Sequence, residues 1–285
     1  MSFPARILQT RPFIIASLHG CYTAIERGLR ADSLATYALG GTGTFIPTML
    51  IAASGGRITD FTPVPVDTIT AHWHHVLHQY APEGVKLGIL GDVRALEPVI
   101  NYCNESSIPL LLDITLSGPA GEKLVERGTQ DWIRAHIARP DLVLIRRTDA
   151  EYLLQMPIPS LDDAQVAAQR LVQWGTRKLV LKCGRIPYHF YETHQPLPPW
   201  SMDLYFDGED FALLEAPYIS TENLHGASSA FACFILRELI DKQPVIPSLQ
   251  HAKIYVTEAI RRHRMVKGLA QLNYTWIHEA NASKE

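Results

Sequence analysis

The chain has 285 residues, of which 47% are hydrophobic, and a formal net charge of −3. This apolar content is sufficient for a large core, and the composition does not change abruptly, so we expect one domain over residues 1–285, with 1–12 and 279–285 flexible. The small net charge and the scattered basic residues exclude the positive surface that binding to nucleic acid or to an anionic membrane requires.

The cysteines and the apolar runs predict a cytoplasmic protein. The four cysteines are far apart and form no C-x-x-C pair, which fits a reducing compartment. They are Cys21, Cys103, Cys183 and Cys233. The start of the sequence lacks the pattern of a signal peptide, and no apolar run reaches the roughly 18 residues of a membrane span.

Strands and helices alternate along most of the chain. Short apolar runs predict strands at 13–18, 45–53, 85–90, 110–114, 142–145 and 179–182. Apolar residues at helical spacing predict helices at 31–39, 67–80, 93–104, 129–138, 150–154, 161–174, 230–240 and 249–265. The segments 203–206 and 211–214 flank a glycine-containing turn and predict a hairpin. This order indicates an α/β fold with a mainly parallel sheet flanked by helices and with antiparallel strands at one edge.

The helix predicted at 67–80 carries four histidines, for which two interpretations are open. His74 and His78 are one helical turn apart and, with His72 and His75, could bind a metal ion. The alternative is a solvated face opposite the apolar residues around Trp73. The solvated face is favoured because no nearby cysteine or carboxylate completes a set of metal ligands.

Residues 221–232, T-E-N-L-H-G-A-S-S-A-F-A, predict a loop that enters a helix. Backbone N–H groups at a helix N-terminus have no intrahelical partner, so the turn from Gly226 to Ser229 is a candidate phosphate site. The alternative is an ordinary helix cap, in which Ser228 or Ser229 accepts hydrogen bonds from those N–H groups.

Charged residues are predicted at the edge of the sheet where ligands bind. In open α/β sheets the ligand lies outside the carboxyl ends of the strands. The loop after Ala16, Asp113, residues 182–185 and the stretch 221–232 all fall there. An anion-holding turn, a lysine and an aspartate at strand ends suit phosphoryl transfer, which depends on positioning and charge neutralisation. The sequence contains no P-loop motif and no G-x-S-x-G motif.

Three stretches resemble the hydroxymethylpyrimidine and phosphomethylpyrimidine kinases of thiamin biosynthesis, in the ribokinase-like superfamily that also holds the pyridoxal kinases. Residues 28–40 are similar to the family's G-I-Q-A-D-x-K-T-F-x-A-L-G, residues 86–90 to its K-x-G-M-L and residues 223–229 to its N-T-H-G-T-G-C. Weaker similarity follows in the same order at Asp113, 182–184 and 250–253. The resemblance implies a ribokinase-like three-layer αβα fold.

The resemblance also implies roles for individual residues. The catalytic turn corresponds to Gly226, Ala227, Ser228 and Ser229. Substrate contacts are implied for Asp32, Gly20, Ala53 and Ile89. Nucleotide contacts are implied for Lys182, Gly184, Arg146 and Asp149. Binding of Mg²⁺ is implied for Asp113 and Asp149.

Several positions depart from the family's pattern. Ser229 stands where the family has a cysteine taken as general base, and loss of general-base help typically lowers a rate about 10²- to 10⁴-fold. Ala53 replaces a glutamine, and Arg146 replaces an asparagine and brings its own positive charge. Residues 18–27 form a bulkier segment than the family's glycine-rich loop.

The hypothesis that follows is an ATP- and Mg²⁺-dependent kinase, which phosphorylates hydroxymethylpyrimidine or its phosphate by in-line transfer of the γ-phosphoryl group. The resemblance implies a homodimer that acts on a small pyrimidine or pyridine vitamin precursor. Two alternatives stay open at this point. One is a catalytically degenerate protein that acts as a ligand sensor or partner subunit, and the other is a pyridoxal kinase-like activity.

Overall fold

The computed structural model describes residues 11–23, 27–54, 56–125, 128–190, 194, 196–221 and 224–277. The sequence predicts flexible ends at 1–12 and 279–285. Residues 1–10 of the first end and all of the second lie outside the described residues. So does Asn223, the first residue of one motif that carries the resemblance.

The described residues form a nine-stranded sheet with the strand order β3-β2-β1-β4-β5-β6-β7-β8-β9. Its strands are β1 (Ile14–Tyr22), β2 (Thr42–Ser54), β3 (Arg57–Pro63), β4 (Gly84–Leu87), β5 (Leu110–Ile114), β6 (Leu142–Arg146), β7 (Leu179–Gly184), β8 (Trp200–Phe206) and β9 (Phe211–Pro217). Six strands that are consecutive in this order pair in parallel, namely β2, β1, β4, β5, β6 and β7. The predicted mainly parallel sheet is therefore confirmed.

Antiparallel strands occur at both edges of the sheet. The predicted hairpin is present as β8 and β9, which extend the β7 edge. At the opposite edge β3 pairs antiparallel with β2, where the sequence predicts no strand. The pattern of β3 is weak because the strand is mostly exposed or half-buried, and only Ile58 and Phe61 pack against the neighbouring apolar cluster. An edge strand of this kind carries little hydrophobic signal.

Eight helices of the described residues cover the two faces of the sheet. They are α1 (Leu29–Ala38), α2 (Val66–Tyr80), α3 (Glu97–Ser106), α4 (Thr129–His136), α5 (Arg147–Leu154), α6 (Leu161–Val172), α7 (Ala227–Ile240) and α8 (Val245–Arg261). Successive strand residues point to opposite faces, so Leu110 and Leu112 pack in one core and Leu111 in the other. Helices α2 to α6 close the first core and α1, α7 and α8 close the second, which gives the expected three layers.

The last helix lies about one turn earlier than the sequence predicts. It begins at Val245, because Pro247 is tolerated in a first helical turn, and it ends at Arg261. Met265 belongs instead to a small hairpin, β10 (Arg264–Val266) and β11 (Leu269–Gln271). Its turn residues Lys267 and Gly268 both have positive φ, as tight hairpins require.

The four histidines of α2 lie on the solvated face that the sequence favours. His72, His74, His75 and His78 are exposed, whereas Trp73 is buried on the opposite side. Within the described parts of the chain, no cluster of three or more histidine, cysteine or acidic residues suits a metal ion. None of the helices described is both long and apolar enough to cross a membrane.

Candidate active site

Two adjoining cavities open at the carboxyl ends of the parallel strands. The larger cavity, of about 660 Å³, lies between the ends of β6 and β7 and the helices α7 and α8. The smaller cavity, of about 220 Å³, lies between the ends of β1 and β5 and the N-terminus of α7. Four residues line both cavities, namely Arg146, Leu224, Ala227 and Ser228. The site is therefore a two-chambered cleft that meets at the start of one helix.

The start of α7 is an open N-terminus. Gly226 has φ of 85°, a left-handed conformation that glycine adopts without strain, and it directs the chain into the helix at Ala227. No side chain caps this helix by a hydrogen bond, so the capping alternative for Ser228 and Ser229 is wrong. The first backbone N–H groups of α7 are left for a ligand, and the helix dipole favours an anion there.

Polar side chains from three strands line up beneath this turn. The residues directly before and after Lys86, Asp113 and Lys182 in the sequence pack in the core under α2 to α6. Because side chains alternate along a strand, the side chains of the two lysines and the aspartate point to the opposite face of the sheet, which α7 covers. Lys182 contacts both Asp113 and the hydroxyl of Ser228 directly. The ammonium of Lys182 thereby lies at the junction of the cavities, next to the N-terminus of α7.

A buried ion pair continues this line into the core. Lys86 Nζ lies 2.6 Å from Asp32 Oδ1 and 4.0 Å from Asp113 Oδ2. Ser17 donates a hydrogen bond of 2.6 Å to the other oxygen of Asp32. Burial lowers the pKa of Lys86, but Asp32 above all, with Cys233 and Asp113, raises it by more, so the net shift is upward and Lys86 stays charged.

Asp32 lines neither cavity, contrary to the direct substrate contact that the resemblance implies. Its side chain is fully buried, and its oxygens are taken up by Ser17 and Lys86. A buried carboxylate needs such partners, and the full burial of Asp32 leaves it out of reach of a ligand in either cavity. Asp32 is connected to the site through Lys86, which bridges it to Asp113, and through Cys233 of α7.

The other implied substrate contacts also line neither cavity. Gly20 and Ile89 lie side by side, and a Cβ on Gly20 would come within 2.8 Å of Ile89 Cδ1. Ala53 lies opposite Ile58 where β2 pairs with β3, and it packs against the apolar cluster there. Gly20 and Ile89 nevertheless shape the smaller cavity, because their backbone N–H groups both point at Nδ1 of His19, which lines it.

Arg146 and Asp149 form a closed cluster with Ser117. Arg146 Nε lies 2.7 Å from Asp149 Oδ2, and its Nη2 lies 2.6 Å from the Ser117 carbonyl oxygen. Ser117 Oγ donates to the second oxygen of Asp149 across 2.7 Å. Asp149 is almost fully buried. Arg146 therefore brings a fixed guanidinium to the junction of the cavities, and Asp149 holds it in place.

The two carboxylates that the resemblance assigns to Mg²⁺ do not fit a metal site built by the protein alone. Asp113 faces the ammonium groups of Lys182 and Lys86, and Asp149 faces the guanidinium of Arg146. Mg²⁺ is usually held by one or two carboxylates together with substrate phosphates and water. In this chain, cations of the protein already occupy those carboxylates.

The larger cavity carries further polar groups that the sequence pattern indicates only weakly. Lys253 of α8 lies 2.7 Å from Asp203 of β8, and both line the cavity. Lys182 and Gly184, both implied nucleotide contacts, lie in the same wall. The sequence indicates Lys253 only through the weak similarity at 250–253. Its partner, Asp203, belongs to a strand that is distant in the sequence, so no local pattern contains the pair.

Two neutral histidines and, besides Arg146, a second arginine line the smaller cavity. Arg27 Nε donates a hydrogen bond of 2.9 Å to Nδ1 of His225, which therefore carries its proton on Nε2. Burial lowers the pKa of His225 to about 4, with a smaller contribution from Arg27. Burial also brings the pKa of His19 well below its usual range, helped by Lys86, Lys182 and Arg146. The sequence pattern does not single out Arg27 or His19, which are only two of the residues that make the segment 18–27 bulkier than the family's loop.

The chain matches proteins of known activity over most of its length. A model of the family described as phosphomethylpyrimidine kinase matches residues 27–273. The chain is 22% identical to a hydroxymethylpyrimidine/phosphomethylpyrimidine kinase of Aquifex aeolicus, over 88% of this chain and 95% of that protein. It is 26% identical to the protein of the same name from Bacillus subtilis, over 82% of this chain and 83% of that protein.

Solved structures with the same fold include kinases of two kinds. The pyridoxal kinase of Staphylococcus aureus in complex with AMP-PCP and pyridoxal superposes with a TM-score of 0.77 at 20% identity, covering 93% of this chain and 94% of that one. Phosphomethylpyrimidine kinase of Clostridium difficile gives a TM-score of 0.69 at 17% identity, covering 87% and 99%. At these identities the likeness shows the fold alone.

Proposed function

Because the chain belongs to the phosphomethylpyrimidine kinase family, we propose that it transfers the γ-phosphoryl group of ATP to hydroxymethylpyrimidine or to its phosphate. The nucleotide occupies the larger cavity and the acceptor occupies the smaller one. The names of the relatives from Aquifex aeolicus and Bacillus subtilis support this acceptor class.

The observation that carries the proposal is the position of the open α7 N-terminus where the two cavities meet. A phosphoryl group in transfer must lie between its donor and its acceptor, with its oxygens held by positive charge and hydrogen-bond donors. The turn at 226–229 lies at that point, with free N–H groups and the ammonium of Lys182 beside it.

Each residue at the junction has a separate task in this proposal. The N–H groups of Ala227, Ser228 and Ser229 donate to oxygens of the transferring phosphoryl group. Lys182 and Arg146 neutralise the negative charge that develops on the γ-phosphate and on the leaving ADP. Mg²⁺ enters the proposal only as an ion that the nucleotide phosphates carry, since Asp113 and Asp149 are already paired.

The buried line of charges positions these groups. Asp113 holds Lys182 next to Ser228, and Lys86 holds Asp113 by bridging it to Asp32. Fixed charges of this kind stabilise a transition state without reorganising during the reaction. Asp32 is therefore a positioning residue in the proposal rather than a ligand of the substrate.

The test is a direct assay with the purified protein. The protein is incubated with ATP and Mg²⁺ and, separately, with hydroxymethylpyrimidine, hydroxymethylpyrimidine phosphate or pyridoxal, and the phosphorylated product is measured by mass spectrometry. We expect product from at least one of the two pyrimidines. Lys182→Met should reduce it at least about 100-fold, whereas the exposed Lys242→Met should leave it unchanged. A preparation that binds ATP but phosphorylates neither pyrimidine would refute the proposal.

The proposal includes a homodimer of single-domain subunits, which the family resemblance supports. Sedimentation equilibrium at micromolar concentration tests it through the molar mass. A monomer of 31.9 kDa at all concentrations would exclude the dimer.

A further inference from the structure

The smaller cavity contains one carboxylate, that of Asp113. Among the described residues that line this cavity, Asp113 is the only acidic one. Its Oδ1 is held by Lys182, whereas its Oδ2 lies 3.4 Å from the hydroxyl of Ser228 and 4.0 Å from Lys86 Nζ. Asp113 is almost fully buried, and Ser228 is half-buried where the two cavities meet. The Ser228 hydroxyl therefore connects the buried carboxylate to the junction of the cavities.

The two histidines of this cavity have no free lone pair with which to take up a proton. Burial lowers the pKa of both His19 and His225, so both rings are neutral near neutral pH. Nδ1 of His19 accepts a hydrogen bond from the backbone N–H of Gly20, and Nδ1 of His225 accepts one from Arg27. In each neutral ring the other nitrogen then carries the proton. Asp113 is left as the proton acceptor of the cavity.

The hydroxyl of Ser228 has the hydrogen bonds of a proton relay. A serine hydroxyl can donate one hydrogen bond and accept two. This one donates to Asp113 Oδ2 and accepts a hydrogen bond from the ammonium of Lys182. The second lone pair is left for the hydroxyl of an acceptor. The separation of 3.4 Å from Asp113 is long, as catalytic hydrogen bonds often are before the substrate binds and tightens them.

We propose that Ser228 and Asp113 form a proton relay that removes the proton of an acceptor hydroxyl. The inference rests on the proposed function and concerns its unphosphorylated acceptor, hydroxymethylpyrimidine. Ser228 contacts the acceptor, and Asp113 receives the proton behind it. A serine hydroxyl needs such a neighbour, because it takes up a proton only as it gives up its own. A carboxylate suits the end of the relay, since an aspartate accepts the hydroxyl proton in protein kinases.

Atoms and electrons balance in this step. The oxygen of the hydroxymethyl group forms a bond to the γ-phosphorus while the bond from that phosphorus to the β,γ-bridging oxygen breaks. The electron pair of the broken bond leaves on ADP. The proton of the hydroxymethyl group moves to Ser228 Oγ as the proton of Ser228 moves to Asp113 Oδ2. After the product leaves, Asp113 returns its proton through Ser228 to water.

The test compares two acceptors that differ in their need for a base. Hydroxymethylpyrimidine must lose a proton, whereas its phosphate has a second pKa near 6, is mostly a dianion at neutral pH and needs no base. Ser228→Ala removes the hydroxyl and keeps the backbone N–H. This variant should lower the single-turnover rate for hydroxymethylpyrimidine about 100-fold or more and change the rate for the phosphate less than about threefold. Rapid quenching followed by mass spectrometry measures both rates.

Three further variants separate the relay from a merely structural role. Ser228→Thr keeps a hydroxyl and should restore the rate for hydroxymethylpyrimidine to within about 10-fold of the wild type. Ser106→Ala is the matched control at an exposed serine of α3, and it should change neither rate. Asp113→Asn should lower both rates, because Asp113 also holds Lys182, and the rate for hydroxymethylpyrimidine at least about 10-fold more than the other. In D₂O the wild-type rate should fall for hydroxymethylpyrimidine only.

Three outcomes would overturn the inference. They are an unchanged rate for hydroxymethylpyrimidine in Ser228→Ala, an equal loss for both acceptors in the folded variant, and turnover of the phosphate alone by the wild type. The last outcome leaves the proposed function standing. If neither pyrimidine is phosphorylated, the proposed function fails, and hydrolysis of ATP, with water in place of the hydroxyl, tests the relay. A hydrolysis rate that Ser228→Ala lowers at least about 10-fold supports it, and an unchanged or absent hydrolysis refutes it.

Discussion

Lys86 donates a hydrogen bond of 2.6 Å to Asp32, and both side chains are fully buried. The pair joins β4 to α1 and, through Asp113, reaches the lysine at the catalytic turn. A buried ion pair is a poor source of net stability, but breaking one is costly because the remaining charge stays in a medium of low polarity. The pair therefore ties the integrity of the core to the geometry of the site.

Lys86→Met should destabilise the protein by roughly 3–5 kcal/mol, because it leaves Asp32 without its cation. The free energy of unfolding, measured with guanidinium chloride, checks this value. The double variant Lys86→Met with Asp32→Asn removes both charges and should lose clearly less than the sum of the two single variants. A single-variant loss below about 1 kcal/mol would show that the ion pair is not buried in solution.

The free energy of unfolding should decrease as the pH is lowered from about 6.5 to 4, partly because of His225. Its pKa is lowered to about 4 in the folded state from an ordinary value of 6.5, mainly by burial. In that interval the unfolded chain binds more protons than the folded one, so the free energy of unfolding decreases as pH falls, by at most about 3 kcal/mol from this residue. His19 acts in the same direction.

Replacement of His225 by asparagine isolates its share. The amide oxygen can still accept a hydrogen bond from Arg27, but the side chain no longer titrates. Unfolding curves at a series of pH values should give a shallower pH dependence for His225→Asn than for the wild type. Parallel pH dependences would contradict the lowered pKa.

Gly226→Ala tests the turn itself. The φ of 85° costs an alanine about 1–2 kcal/mol, and relief of that strain moves the N–H groups that follow. Gly121 has φ of 86° with open space around its Cα, so Gly121→Ala carries a similar strain outside the site. Both variants should lose similar stability by thermal denaturation, and only Gly226→Ala should lose kinase activity, by about 10-fold or more. Equal kinase activities of the Gly226→Ala and Gly121→Ala variants would show that the geometry of the turn does not contribute to catalysis.

The strand pattern of this sequence predicts the fold well and the site only in part. Asp113 and Lys182 are predicted near the carboxyl ends of their strands, β5 and β7, and therefore at the edge of the sheet where ligands bind, and both are found there. Their contact depends on the register of strands that are not neighbours, which no local pattern contains. Asp32 differs, since its motif predicts a ligand contact and the structure shows its side chain buried against Lys86.

Ser229 separates two accounts of how the acceptor is activated. If the acceptor is a phosphate dianion, no base is needed, and Ser229→Ala should keep kcat for hydroxymethylpyrimidine phosphate within about twofold of the wild type. Ser229→Cys places a thiol at a helix N-terminus, where the pKa of a thiol is lowered, so it can accept a proton from an alcohol. This variant should raise kcat for unphosphorylated hydroxymethylpyrimidine about 10-fold or more and leave kcat for the phosphate unchanged. Initial rates with each acceptor at saturating ATP measure both effects. A large loss in Ser229→Ala with the phosphate acceptor would instead assign the proton transfer to the serine hydroxyl.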